Sequence, residues 1–256
     1  MSEDILYKKE GSIGRVIVNR EEQKNTFDVD TLKALTDAFK KSEENGDICV
    51  LYTAEGKHFT YGVNLKYAYS LMKDGANSKE SSQLTGSFQD VTRAMRNHSG
   101  IIIGGLKGYI IGGGFEITLS CDLRIAANDT TIMFPELSIG TMFSNASTKL
   151  LPRIVGEGRA KQLMIMGKSI DADEALAIGL VNHVCKPEEL DTVLERYAKE
   201  ILEKDAYAVK VAKKLINENQ DIDMESTLEK EYVGMMNCGI IGGFKSRLKD
   251  FVEKHR

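Results

Sequence analysis

Three consecutive glycines, Gly112 to Gly114, begin the segment of this chain that is best suited to chemistry, and Glu116 follows them after a single phenylalanine. An apolar run, Ile101 to Leu106, leads into the glycines, and a helix-like segment, Ile117 to Cys121, leads out of them. This order predicts that the glycines lie where a strand turns into a helix. Backbone N–H groups at such a turn face a ligand, and the helix dipole favours negative charge there.

A second carboxylate, Glu136, follows in the segment Phe134-Pro135-Glu136. The pattern predicts Glu116 in the first turn of the helix and Glu136 on a later loop. Two carboxylates beside an anion-stabilising turn are suited to acid and base catalysis on a substrate that becomes an enolate-like anion. By themselves, these residues also fit an ordinary tight turn with a glutamate that complements the helix dipole.

The elements that must position the two carboxylates alternate between strands and helices, which indicates an α/β fold. Strands are predicted at Ile13–Val18, Cys49–Ala54, Ile101–Leu106 and Leu123–Ala127. A helix capped by Asp28 or Asp30 is predicted to extend to about Asn45. Glu55 to Gly62 is a predicted loop. The polar segment from Asp74 to Thr85 is predicted to be a mobile loop, which the sequence favours as a surface insertion over a flap that covers an acyl pocket.

The character of the chain changes at about Glu188, where the strand signals end. Helices are predicted at about Glu188–Glu203, Ala206–Asn219 and Met224–Asn237, and then Gly239, Gly242 and Gly243 interrupt the pattern before a last short helix. We therefore expect residues 1–187 to form a core that carries the site, and residues 188–256 to form a helical appendage.

Composition narrows the class of protein. The chain has 256 residues, enough for one large domain with or without an appendage. Its net charge of −4 gives no reason to expect nucleic acid or an anionic membrane as a partner. The acidic N-terminus, Met1 to Asp4, lacks the apolar core of a signal peptide, and the apolar runs are too short to span a bilayer. The four scattered cysteines favour reduced thiols and a cytoplasmic location over disulfides or a metal site.

Short segments along nearly the whole chain match, in order, the motifs of one family. They are Asn19-Arg20 with Lys24-Asn25-Thr26, Gly56 to Leu65, Gly108 to Glu116, Cys121 to Ala126, Phe134 to Leu137, Leu151 to Gly156, Ala175 to Asn182, and Asp250 to Lys254. Through this ordered set the chain resembles the crotonase superfamily of enoyl-CoA hydratases and isomerases. The resemblance implies a spiral of repeated ββα units, a C-terminal helical region that makes oligomer contacts, and a homotrimer or dimer of trimers.

The resemblance also implies a mechanism. The backbone N–H groups of Val63 and Gly113 would bind the thioester oxygen as it becomes an enolate oxygen, and Glu116 and Glu136 would be the catalytic carboxylates. Because relatives limited to double-bond isomerisation typically keep only the second glutamate, the presence of both implies an enoyl-CoA hydratase. Such an enzyme adds water across the 2,3 double bond of a 2-enoyl-CoA thioester.

Coenzyme A would be part of this substrate, with no tightly bound cofactor and no metal. The positions that match family contacts to it are Thr60, Tyr61 and Gly62 through the backbone, Lys66 near the ribose phosphate, and Phe251 and Lys254 from a neighbouring subunit. An acyl-carrier-protein thioester stays open as the substrate. So do isomerisation of a 3-enoyl-CoA, decarboxylation and thioester hydrolysis. The net negative charge of the chain argues against a non-catalytic relative that binds RNA.

Several residues depart from the family pattern. Asn64 replaces the aspartate of the loop motif, so a buried ion pair is expected to be missing. The usual P-x-x-G-G-T segment becomes Phe143 to Thr148, which changes the expected lining of the acyl pocket. Asp122 is expected to be a structural carboxylate that pairs with Arg124 or Arg153.

Overall fold

The computed structural model describes residues 3–72 and 79–254. Its strands are Ile5–Glu10 (β1), Ile13–Val18 (β2), Cys49–Ala54 (β3), Ile101–Leu106 (β4), Tyr109–Ile111 (β5), Leu123–Ala127 (β6), Thr131–Met133 (β7), Ile170–Asp171 (β8) and His183–Cys185 (β9). Its α-helices are Val29–Glu44 (α1), Leu65–Leu71 (α2), Lys79–Asn97 (α3), Gly113–Thr118 (α4), Ser147–Val155 (α5), Glu157–Met166 (α6), Ala172–Ala177 (α7), Leu190–Leu202 (α8), Ala206–Glu218 (α9), Met224–Ile240 (α10) and Phe244–Lys254 (α11).

The strands form two sheets, and the chain alternates between them. The larger sheet has the order β1-β2-β3-β4-β6-β9 and is parallel except for the β1–β2 hairpin. The smaller sheet has the order β5-β7-β8. After β4 the chain enters the smaller sheet as β5, and after β6 it enters it again as β7. This alternation, with a helix between the strand pairs, is the predicted spiral of ββα units.

The core occupies both faces of the larger sheet. Its central strands are buried on both faces, as is usual in parallel sheets. On one face, α1 and α3 pack with residues such as Leu35 and Val91. On the other face, Leu190, Leu194 and Ala198 of α8 pack against the strands. The core therefore extends beyond residue 187, and α8, which the sequence assigned to the helical appendage, is part of it.

The predicted strands and the first helix agree with the structure. Asp28 caps α1, because its side chain accepts a hydrogen bond from the Thr31 N–H at 2.9 Å. The prediction of a loop from Asp74 to Thr85 is wrong for residues 79–85, which begin α3, and residues 74–78 lie outside the described residues. Gly239 lies inside α10 rather than ending it. Among the described residues, no helix combines the length and the apolar composition needed to cross a bilayer.

The predicted partners of Asp122 are wrong. Its carboxylate accepts hydrogen bonds from the Lys213 ammonium group and from the Ile102 N–H, both at 2.7 Å. Arg124 instead donates to backbone carbonyls, including that of Leu180 at 2.8 Å. Lys213 is buried and belongs to α9, so this ion pair ties the C-terminal helices to the edge of β4.

Candidate active site

The loop from Thr60 to Gly62 packs directly against the start of α4. A β-carbon added at Gly62 would lie 2.5 Å from the Ile111 carbonyl oxygen and 3.6 Å from the Gly113 nitrogen. A β-carbon at Gly114 would lie 2.3 Å from the Thr60 Cγ2 atom. Gly62 also has a φ of +78°, which favours glycine. The glycines are needed because the two backbone segments approach more closely than side chains would permit.

This approach brings Gly62, the residue before Val63, close to the Gly113 nitrogen. Gly113 is the first residue of α4, so its N–H has no partner within the helix. Around Val63, the neighbouring backbone bonds to Phe27: the Phe27 N–H donates to Gly62 and the Asn64 N–H donates to Phe27, both at 2.8 Å. Neither the Val63 nor the Gly113 N–H donates to an acceptor within the described residues. Both residues are partly exposed.

Glu116 is buried in α4, and one of its carboxylate oxygens receives three hydrogen bonds. Its Oε2 atom accepts from the Ser144 N–H at 2.9 Å, from the Asn145 N–H at 3.1 Å and from the Ser147 hydroxyl. Burial raises the pKa of Glu116 above its ordinary value, and the three donors act in the opposite direction. No described residue donates to Oε1, which leaves that oxygen for a water or a substrate.

Glu136 has the opposite environment. It begins a 3₁₀ turn, Glu136–Ile139, and its side chain is buried over the glycine turn. Its Oε2 atom is buried without a hydrogen-bond partner among the described residues. Burial, together with the negative charge of Glu116, raises the pKa of Glu136 to about 7. The site therefore combines a carboxylate that accepts three hydrogen bonds with one whose pKa is raised to about 7.

Thr60 and Gly62 use their polar groups to shape the loop. The buried Thr60 hydroxyl donates to the Asn25 carbonyl at 2.6 Å and accepts from the Gly62 N–H at 3.0 Å. The Thr60 N–H donates to Tyr109 at 3.1 Å, and the Thr60 carbonyl accepts from the Ile111 N–H at 3.0 Å. The backbone groups of these residues are thus engaged within the protein.

Tyr61 and Lys66 lie on the outer side of the same loop. The Lys24 ammonium lies 5.0 Å from the centre of the Tyr61 ring, a cation–π distance. Lys66 is exposed in the first turn of α2. Asn64 caps this helix by accepting from the Tyr67 N–H at 3.1 Å, so the amide that replaces the family aspartate has a structural role of its own.

Phe251 and Lys254 lie on α11, which packs against α10 and is not among the elements that carry the two glutamates. The Phe251 side chain is 62% exposed. Nothing in the described residues tests the predicted contact of Phe251 and Lys254 with the nucleotide of a neighbouring subunit, so it stays a prediction.

Sequence reasoning missed the residues that hold Glu116. It treated residues 143–148 only as a change in the acyl pocket, whereas Ser144, Asn145 and Ser147 supply every donor to the Glu116 carboxylate. The buried Asn145 side chain also accepts from the Thr92 hydroxyl at 3.2 Å. The available signal was Ser147, a hydroxyl at a position where the family motif has glycine, whereas the Ser144 and Asn145 donors are backbone N–H groups that leave no such signal in the sequence. Phe143 packs against Phe134 with ring centroids 6.2 Å apart.

No cluster of three or more metal-ligating side chains occurs in residues 3–72 and 79–254. Near the glycine turn, the described part of the chain holds two buried carboxylates, Glu116 and Glu136. An alternating two-sheet spiral, with two buried glutamates beside a close backbone contact at a glycine turn, is the arrangement of a crotonase-type α/β protein.

Comparison with known proteins gives the family. The enoyl-CoA hydratase/isomerase family model matches residues 8–256, and the chain belongs to this family. A short-chain-enoyl-CoA hydratase from Clostridium acetobutylicum is 32% identical over 255 residues, which cover 99% of this chain and 96% of the relative. A crotonyl-CoA hydratase from Syntrophomonas wolfei is 32% identical over 258 residues, with 99% and 96% covered. The crystal structure of an enoyl-CoA hydratase from Bacillus anthracis matches with a TM-score of 0.91 at 26% identity, over 98% of this chain and 96% of that one.

Proposed function

We propose that this protein is an enoyl-CoA hydratase, a lyase that adds water across the 2,3 double bond of a 2-enoyl-CoA thioester. The observation that carries the proposal is the pairing of two buried glutamates in unlike environments beside a close backbone contact, where the Val63 and Gly113 N–H groups have no acceptor among the described residues. The names of the relatives that are 32% identical support the same reaction.

The two N–H groups stabilise the charge that develops on the thioester oxygen. As a nucleophile adds at C3, electron density moves onto this oxygen, where the Val63 and Gly113 N–H groups donate to it. Loss of one such donor typically costs about 3 kcal/mol of transition-state stabilisation. Because the donors belong to a close backbone contact, they need no rearrangement during the reaction.

The two glutamates divide the proton transfers. Glu116, as a carboxylate, takes a proton from water through Oε1 while the hydroxide portion bonds to C3. Glu136 is protonated up to about pH 7 and gives its proton to C2. Afterwards Glu116 holds the extra proton and Glu136 lacks one, so a transfer between them restores the starting state. The net reaction consumes one water and no other reactant.

Isomerisation of a 3-enoyl-CoA is the second candidate. Glu136 lies over the glycine turn and can accept and return a proton without an added water. Incubation with crotonyl-CoA and with 3-enoyl-CoA, followed by mass spectrometry, separates the two. A product heavier by one water supports the hydratase, whereas rearranged product without water addition supports the isomerase. The panel includes an acyl-carrier-protein thioester, and free acid as the product would indicate hydrolysis. Absence of water addition to every thioester would overturn the proposal.

We propose that the Thr60–Gly62 loop also holds the CoA portion. Since the polar groups of Thr60 and Gly62 are engaged within the protein, the side chains of Tyr61, Lys24 and Lys66 supply the accessible contacts on this side. Two lysines are suited to phosphate oxygens, and the tyrosine ring offers a stacking surface.

The thiol state of all four cysteines supports a reducing compartment, for which we propose the cytoplasm.

We further propose a homotrimer or dimer of trimers, built through the helices after α8. Helices α10 and α11 expose many large apolar side chains: Met224, Leu228, Tyr232, Val233, Met235, Met236, Ile240, Ile241, Phe244 and Leu248. Such a concentration of exposed apolar side chains is unusual on a monomer.

Truncation after Gly243 is expected to lower the oligomeric mass and the affinity for CoA esters. Circular dichroism first establishes that the truncated chain keeps its helices. If light scattering shows that the full-length protein is a monomer, and this monomer is fully active, the assembly proposal is overturned.

A further inference from the structure

The Ser147 side chain makes a contact that the proposed mechanism has not used. Ser147 is the first residue of α5 and is buried, and its hydroxyl donates to Oε2 of Glu116. The other two donors to this oxygen are backbone N–H groups, which any residue except proline would supply. Ser147 is therefore the one position among the three where the identity of the side chain decides whether a donor exists.

The hydroxyl is a property of this chain rather than of the motif. In the P-x-x-G-G-T pattern that residues 143–148 resemble, the position of Ser147 is occupied by glycine, which has no side-chain donor. Ala146, just before it, occupies the other glycine position and has a φ of +57°. The turn thus keeps a glycine-type backbone and adds a hydroxyl directed at the buried carboxylate.

Resting on the hydratase function proposed above, we propose that Ser147 is a positioning residue that orients Glu116 as the proton acceptor. Three donors on Oε2 fix the plane of the carboxylate, so Oε1 is held toward the position of the attacking water. A hydroxyl donor also favours the ionised form, and it offsets part of the effect of burial on the pKa of Glu116.

Few other charges act on Glu116 from the elements around it. Glu136 is the titratable group that faces it from the 3₁₀ turn. From α3, the neighbours of the 144–147 turn are the neutral Gln89 and Thr92. The basic residues of α5, Lys149 and Arg153, are paired on the surface with Asp221. The hydroxyl of Ser147 is therefore the side-chain group best placed to tune Glu116.

The test compares Ser147→Ala with Ser147→Thr, which keeps a hydroxyl, and with Thr148→Ala as a matched control. Thr148 is the exposed neighbour, and its hydroxyl makes no contact with Glu116. For hydration of crotonyl-CoA, Ser147→Ala is expected to lower kcat about tenfold with little change in KM. The acid limb of its pH profile is expected to move up by about one unit, because Glu116 then ionises less readily. Ser147→Thr is expected to restore most of the wild-type kcat and most of the wild-type pH profile. Thr148→Ala is expected to match wild type in both measurements.

The outcomes are distinguishable. A wild-type protein that hydrates no thioester overturns the proposed function. An active wild type whose Ser147→Ala variant has an unchanged pH profile and kcat overturns only the role of Ser147. Carbon-detected NMR of labelled glutamate measures the titration of Glu116 directly, so an unshifted Glu116 in Ser147→Ala contradicts the proposal without reference to turnover. Ser147→Gly, which has the glycine of the family motif and no hydroxyl, is a second donor-free variant that is expected to behave like Ser147→Ala, so the comparison with wild type holds even if Ser147→Thr does not fold.

Discussion

The carboxylate of Glu136 lies directly over Gly112. A β-carbon at residue 112 would lie 2.6 Å from Oε1 of Glu136. Gly112 also has φ +56° and ψ −133°, a conformation that is essentially restricted to glycine. The same residue therefore turns the chain into α4 and leaves room for the carboxylate above the turn.

Gly112→Ala is expected to lower hydration by at least about tenfold and to destabilise the protein by about 1–3 kcal/mol, from backbone strain and displacement of Glu136. Steady-state kinetics and urea unfolding measure the two effects. Gly11→Ala is the matched control, because Gly11 also has a positive φ, +63°, but nothing lies within 4 Å of its added β-carbon. Equal losses in both variants would show that strain alone, and not the carboxylate, is responsible.

Glu136→Gln is expected to lower hydration by about 10²–10⁴, because the amide keeps the shape but cannot give a proton to C2. Binding of CoA esters, measured by calorimetry, should change little. The wild-type rate of hydration should fall as the pH rises through about 7, where Glu136 loses its proton. Near-normal turnover in the variant would remove Glu136 from the mechanism.

The same substitution is expected to stabilise the protein in alkaline solution. The folded-state pKa of Glu136 is raised, so its contribution to stability is fully present below the ordinary carboxyl pKa. That contribution is lost as the pH rises through about 7. Glutamine does not ionise, so at pH 8 the free energy of unfolding of Glu136→Gln should exceed that of wild type by about 1–3 kcal/mol. This difference should be smaller at pH 5. Urea unfolding at both pH values provides the measurement, and a pH-independent difference would contradict it.

Glu116→Gln is expected to suppress hydration more than isomerisation. The amide oxygen can still accept from Ser144, Asn145 and Ser147, so the turn should keep its structure while the base is lost. Hydration needs that base to activate water, whereas isomerisation needs one shuttling carboxylate. Paired assays with 2-enoyl-CoA and 3-enoyl-CoA give the ratio of hydration activity to isomerisation activity in the variant and in wild type. A proportional loss of both activities would contradict this division of labour.

Gly113→Pro is expected to abolish measurable activity, because proline removes the N–H proposed to bind the thioester oxygen. Proline is otherwise tolerated at the first position of a helix. Gly113→Ala is the control: it keeps the N–H and adds a β-carbon 3.0 Å from the Phe88 ring. Kinetics on both variants, after circular dichroism has established folding, separate donor loss from crowding. A folded and active proline variant would place the donor elsewhere.

Ala146→Gly is expected to raise the free energy of unfolding by about 0.5–1 kcal/mol. Ala146 is exposed with φ +57°, and relief of this strain outweighs the entropy that glycine adds to the unfolded chain. Ala177→Gly, at an exposed helical position, should destabilise instead. Thermal unfolding compares the two, and equal signs would contradict the assignment of strain to residue 146.

The alternation of strands and helices was predictable because it depends on local patterns. The apolar runs at β3 and β4 and the cap at Asp28 depend on residues adjacent in the chain. The edge strand β1 was missed, because three of its six residues are exposed and its pattern is weak. The packing of α8 on the larger sheet was not predictable, because a helix facing a sheet and one facing a partner have similar apolar stripes.

By itself, the sequence determined the family, the order of the glycine turn and the two glutamates, and the elements that carry them, since these depend on residue type and spacing. The tertiary structure alone decided which groups surround each carboxylate. The Ser147 donor to Glu116 and the Lys213 partner of Asp122 come from distant parts of the chain. The different proton affinities of Glu116 and Glu136 follow from burial and hydrogen bonding, and these exist only once the chain has packed.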